Sequence, residues 1–189
     1  WFGSETVGWR PDIITIAKGL SSGYMPISAS IISDRIANEF AAKAGPFFHG
    51  YTYSGHPVAA AVALENIRIL DEEQIIKTCG AETVPYFEAQ WATLGDPELV
   101  GETRQKGMLG AIQLTPDTAN QAPFSAPGQA GTIVKDCGIA NGVMCRSIKD
   151  SIAASPPLIF TKDHVDELVT KLRKSLDDAL PLIKKAGLL

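Results

Sequence analysis

Pro11-Asp12-Ile13-Ile14-Thr15-Ile16-Ala17-Lys18-Gly19-Leu20 sets a short β-branched run between a proline and a glycine. A run of this length and composition, bounded by turn formers, reads as a buried strand followed by a turn. Ile27 to Ile32 reads the same way. Between the two runs lie Gly19, Ser21, Ser22, Gly23 and Pro26, a cluster of turn formers suited to a loop held over a site.

Outward from this stretch the elements alternate. Ser33 is placed to cap a helix over Asp34 to Lys43, which Gly45-Pro46 should stop. The loop from Phe47 to His56 leads to Pro57, a residue favoured in the first turn of a helix, and the helix should run to about Leu70. Its alanines, Ala59 to Ala61 and Ala63, suggest close packing on several sides. Asp71 to Trp91 has amphipathic helical spacing. Strands are expected near Val100 to Arg104 and Met108 to Leu114, followed by a polar loop over Thr115 to Pro127. Gly128 to Ala140 reads as a helix, Gly142 to Arg146 as a strand ending on a cation, and Ser151 to Ala154 as a brief strand. Thr161 should cap a last helix whose apolar face is Val165, Leu168, Val169, Leu172 and Leu176.

Composition narrows the function classes. The chain has 189 residues, 45% apolar and 20% charged, which fits an ordinary globular domain rather than a fibrous, disordered or disulfide-stapled chain. The net charge of −4 gives no basic footprint for nucleic acid or an anionic membrane. No apolar run approaches the roughly 18 residues of a membrane span. Cys79, Cys137 and Cys145 lack C-x-x-C spacing, so a reducing, cytoplasmic setting is expected. The opening Trp1-Phe2-Gly3 has no targeting pattern and reads as internal to a longer protein.

Three places could carry chemistry. Lys18 closes an apolar strand between the small residues Ala17 and Gly19, which would let a flat ligand approach the backbone. Burial there would favour the neutral amine that attacks a carbonyl to form a Schiff base; a solvated strand-end lysine is the alternative. The loop Gly50-Tyr51-Thr52-Tyr53-Ser54-Gly55-His56-Pro57 brings hydroxyls to a helix N-terminus, which suits an anion such as phosphate and equally suits capping and turn formation. His49 and His56 bracket it without metal-ligand spacing and read as structural. Arg146 could bind a carboxylate with two parallel hydrogen bonds, or could pair with Asp150. No Ser-His-Asp order, paired carboxylate motif or G-x-G-x-x-G run favours a hydrolase or a dinucleotide enzyme.

Taken together, Pro11 to Leu20, Gly23-Tyr24-Met25-Pro26 and His49 to Pro57 resemble the class III pyridoxal-phosphate aminotransferases. Met144-Cys145-Arg146 and Ser155-Pro156-Pro157-Leu158 are most similar to the ω-amino acid or amine:pyruvate branch, and the resemblance covers essentially the whole chain. It implies an α/β fold of pyridoxal-phosphate fold type I. Residues 1–75 would be the later part of the cofactor-binding large domain, and 76–189 a small α+β domain. Position by position, Lys18 matches the lysine that holds the cofactor as a Schiff base and later moves the proton. Thr52 matches the threonine that binds the cofactor phosphate, usually across a homodimer interface, with Tyr51 beside it where the family often has Phe. Arg146 matches the mobile arginine that takes the carboxylate of pyruvate or an amino acid and swings away for an amine.

The implied reaction moves an amino group from an ω-amino acid or primary amine to a keto acid such as pyruvate. The family's Asp against the pyridine nitrogen, about thirty residues before the lysine, has no room ahead of Lys18, and Asp12 stands too close in sequence to serve. The chain therefore resembles the C-terminal portion of a longer enzyme and is expected to be inactive alone. An aminomutase or decarboxylase on the same scaffold is a rival reading, as is a non-catalytic fragment or binding module.

Overall fold

The computed structural model describes residues 1–43, 45–95 and 98–189. They form two compact units, Trp1–Ile76 and Lys77–Leu189.

The first unit opens with a short helix, α1 (Gly3–Thr6), before β1 (Ile13–Ile16) and β2 (Ala29–Ile32), which pair antiparallel with Ile13 opposite Ile32 and Ile16 opposite Ala29. β2 is two residues shorter than the apolar run that encodes it. The strands are not buried within this unit: Ile13 is 54% exposed, because the two-stranded ribbon has no further strand or covering layer among the described residues. Helix α2 (Asp34–Ala42) begins at Ser33 as expected, but the Ser33 hydroxyl does not cap it. It donates instead to Asp12 Oδ1 (3.0 Å), whose carboxylate also holds Arg35 through Nη2 at 2.6 Å. Asp12 thus ties the start of β1 to the start of α2. Helix α3 (Pro57–Glu72) follows with Pro57 in its first turn, and only Ala59 and Ala63 on it are buried. The close packing on several sides that its alanines suggested is confined to that one stripe.

A single helix over Asp71 to Trp91 is not what forms. Gln74 adopts φ 53° and breaks the ladder, and the chain resumes as α4 (Ile75–Thr78), a π turn (Cys79–Thr83) and α5 (Val84–Ala92). Pro85 explains the π turn: proline has no N–H to give and its ring crowds the preceding turn, and a widened turn relieves both.

The second unit is an antiparallel sheet in the order β3-β4-β6-β5 (Val100–Lys106, Leu109–Leu114, Ser151–Ala154, Arg146–Ile148), with α6 (Gln129–Ala140) and α7 (Lys162–Lys185) in its helical layer. Burial alternates along β4 and β6, so that Gly110, Ile112, Leu114, Ile152 and Ala154 face inward. That pattern marks a sheet covered on one side. The cover comes from Phe87 and Trp91 of α5, Val134 of α6, and Val165, Leu172, Leu176 and Ile183 of α7. The Trp91 ring lies on the backbone of Gly110, where a Cβ would come within 2.5 Å of Trp91 Cε2, and its Nε1–H donates to the Ala111 carbonyl at 3.3 Å. Thr161 caps α7, accepting from the His164 amide.

The apolar run Gly142 to Arg146 is not a strand. Gly142 (φ 75°) and Val143 close α6, their amides donating to the carbonyls of Ile139 (3.1 Å) and Gly138 (2.9 Å). This is a left-handed helix stop with its apolar residue, Val143, turned into the core. Strand β5 begins only at Arg146.

Candidate active site

The site is built on the exit of β1. Ala17 is still extended; Lys18 then enters the left-handed region at φ 52°, which costs an L-residue roughly 1–2 kcal/mol, and Lys18–Leu20 form one 3-10 turn. The Lys18 side chain is exposed rather than buried, since the ribbon it leaves has no covering layer in this unit. It stands in the wall of an open groove with Thr15, Ala17, Ser30, His49 and Tyr51. The structure therefore brings Lys18 and Tyr51 to one groove. Asp12, the carboxylate nearest Lys18 in sequence, is already engaged: the Arg35 guanidinium, then the Ser33 hydroxyl, hold it below the ordinary carboxylate range. Asp12 is a brace for the ribbon.

Thr52 sits on a tight turn next to Tyr51. The Tyr51 carbonyl accepts the Ser54 amide at 2.9 Å, and the Ser54 hydroxyl accepts the Tyr51 amide at 2.9 Å, leaving the Thr52 side chain exposed at the tip. The helix end that follows is less available to an anion than its sequence suggested. His56 is the cap: its Nδ1 accepts the Ala59 amide (3.3 Å) and its carbonyl the Ala60 amide (3.0 Å), while Pro57 has no N–H. Only Val58 in that first turn lacks such a partner among the described residues. A phosphate at this loop would be met by Thr52 and its turn more than by the helix dipole.

Arg146 lies in the second unit, at the start of edge strand β5 opposite Ala153, with its side chain exposed. Its alternative partner is taken. Asp150 is buried in the β5–β6 turn, and its two carboxylate oxygens accept the amides of Gly128 (2.8 Å) and Gly131 (3.1 Å) at the start of α6. The approach is close, for a Cβ on Gly131 would lie 2.0 Å from the Lys149 carbonyl. Asp150 therefore anchors the hairpin, and Arg146 is left to solvent. Beside it, burial pushes the Cys145 thiol up, which keeps it a neutral core residue.

Sequence reasoning missed Asn66, which reaches from α3 to the turn after Lys18, and the anchoring role of Asp150. The signal for Asn66 was a poor helix former without a charged role in the middle of an alanine-rich helix.

The family model for aminotransferase class-III matches residues 1–176. The chain belongs to the class-III aminotransferases. A putrescine–pyruvate aminotransferase of Pseudomonas aeruginosa is 46% identical over 177 residues, which are 94% of this chain and 38% of that protein. A chloroplastic gamma aminobutyrate transaminase 3 of Solanum lycopersicum is 37% identical over 180 residues, 94% of this chain and 34% of its own length. Among solved structures, the ω-transaminase of Pseudomonas jessenii in complex with PMP superposes with a TM-score of 0.91 at 35% identity, covering 97% of this chain and 41% of that one. The fold is thus that of part of a class-III ω-transaminase. The chain spans between about a third and two fifths of the length of these class-III relatives.

Proposed function

We propose that the protein carrying this chain is a pyridoxal-phosphate aminotransferase that moves the amino group of an ω-amino acid or primary amine to a keto acid, with pyruvate as acceptor. The observation that carries the reading is Lys18, an exposed amine at a strained strand exit in a class-III chain, sharing its groove with Tyr51. The residues present fit such a cofactor: the Lys18 amine suits its aldehyde, and the exposed Thr52 hydroxyl suits the phosphate of a second cofactor molecule held by a partner subunit. When bound, the cofactor ring supplies the electron sink that stabilises charge left on the substrate carbon.

In this reading Lys18 Nζ would hold the cofactor and would move the proton to and from the substrate carbon. Thr52 would donate its hydroxyl and backbone N–H to the phosphate of the cofactor held by a partner subunit, with Tyr51 beside it, so a homodimer is part of the proposal. Arg146 meets a carboxylate with two parallel charge-assisted hydrogen bonds. Its exposure, and the engagement of Asp150 by α6, leave it able to turn toward a keto acid or away from an uncharged amine tail.

Support for the substrate class comes from the activities for which the relatives are named, putrescine with pyruvate for one and gamma-aminobutyrate for another. The test is amino transfer by the full-length protein from putrescine, β-alanine and an aryl amine to pyruvate, read as alanine formed. Arg146→Ala should lower kcat/KM for pyruvate by about 10- to 100-fold, the value of a charged hydrogen-bonded pair, and change the amine half-reaction far less. Equal losses on both sides would remove the carboxylate role. Carbon dioxide release or amino-group migration without alanine would replace transamination with another reaction on this scaffold.

A further inference from the structure

We infer that Asn66 is a positioning residue for Lys18, acting through the turn that follows it. This inference rests on the reading of Lys18 as the lysine that binds the cofactor.

The turn from Lys18 to Tyr24 holds an unfavourable conformation with little apolar help. Lys18 and Ser22, both L-residues, have positive φ (52° and 49°), and of Lys18–Tyr24 only Ser21 is buried. Such a backbone persists only where its surroundings over-determine it. Asn66 does this from the third turn of α3. Its Nδ2 donates to the carbonyls of Gly19 (2.9 Å) and Leu20 (3.2 Å), the two residues directly after Lys18, and its Oδ1 accepts the Ser22 hydroxyl at 2.6 Å. The same turn is closed below by the Ser21 hydroxyl, which donates to the Met25 carbonyl at 2.6 Å.

The amide is chemically specific for this task. Two donors and one acceptor are needed in one plane, which asparagine provides and aspartate does not. An aspartate could still accept from Ser22 but would set a negative oxygen against two carbonyls. α3 is itself stiffened one turn later, where Arg68 bridges Glu65 and Glu72. The turn's own bonds, such as the Ser21 amide to the Lys18 carbonyl (3.1 Å), are thus joined by a tie from a separate helix, and through that tie residue 66 sets the direction in which Nζ leaves β1.

The test uses the full-length protein with pyridoxal phosphate, comparing wild type with Asn66→Asp, Asn66→Ala and Ser22→Ala. Two quantities are read besides activity: the rate at which borohydride-trappable label appears on Lys18, and amide hydrogen exchange over residues 19–24 in the cofactor-free protein. Asn66→Asp and Asn66→Ala should slow labelling and speed exchange by about tenfold or more, the weight of two lost hydrogen bonds, with the melting temperature of the rest of the protein unmoved. Ser22→Ala, which leaves both donors in place, should change each by about threefold and keeps the test open if the Asn66 variants fold poorly. Label and exchange within twofold of wild type in all three variants would overturn the positioning role while leaving Lys18 as the cofactor lysine. Absence of label on Lys18 in the wild type would overturn both.

Discussion

Residues 77–189 seal a set of large side chains in a core: Trp91 is 1% exposed, and Phe87, Ile112, Ile152 and Leu172 are wholly buried. Among the described residues of 1–76 the buried apolar ones are Ala59 and Ala63, while Phe48 is 91% and Tyr24 82% exposed. Each large side chain taken fully from water contributes about 1.5–3 kcal/mol, so the second unit has a driving force of its own that the first lacks. What positions the first unit is polar and local: Asp12 with Arg35 and Ser33, Asn66 with the turn after Lys18, His56 on the start of α3. Hydrophobic burial fixes the scaffold in one region, and in the other hydrogen bonds hold the backbone around Lys18, Tyr51 and Thr52.

The largest expected difference is all-or-none. Expressed separately, residues 77–189 should unfold in one cooperative transition on heating, and residues 1–76 should show none by circular dichroism. A cooperative transition in the first fragment would erase the contrast. Next in size are two aromatic truncations in the 189-residue chain. Trp91→Ala should cost about 3–5 kcal/mol in urea unfolding, because it empties the space over Gly110, whereas Phe48→Ala should stay within about 0.5 kcal/mol.

A smaller effect is expected at Asp150→Ala, which strips the half-buried amide of Gly128 and the buried amide of Gly131 of their acceptor. It should cost about 1–3 kcal/mol and raise hydrogen exchange at the start of α6. The smallest is a pH effect at Asp12. Its carboxyl is held low by Arg35 and Ser33 in the folded chain, so the pair stabilises above the ordinary aspartate range, and the contribution is lost as pH falls through the lowered folded value. The melting-temperature gap between wild type and Asp12→Asn should accordingly close below about pH 4. A gap that widened on acidification would reverse the assignment.

The same contrast explains what the sequence could show. In the second unit periodicity and burial coincide: Val165, Val169, Leu172 and Leu176 were legible on α7 because one apolar face packs on one core. β1 was legible from its β-branched run, but its burial was not, since that depends on neighbouring layers and not on Ile13 to Ile16 themselves. Apolar content misled at Gly142 to Cys145, where a helix stop uses Val143 as its core contact and no strand forms. The break at Gln74 had no apolar signature at all. At the candidate site, residue type and resemblance point to Lys18, Thr52 and Arg146. The side chains that hold the surrounding backbone, Asn66 and Asp150, act across 44 to 47 and 19 to 22 residues of sequence and leave no local pattern.

The central claim is that Lys18 is the amine that binds the cofactor covalently. Its most direct test is borohydride reduction of the full-length protein after incubation with pyridoxal phosphate, with the modified peptide located by mass spectrometry. Near-stoichiometric phosphopyridoxyl label on Lys18, lost in Lys18→Ala, is the expected result. Label spread over surface lysines, or stoichiometric label at another lysine with Lys18 untouched, would contradict it.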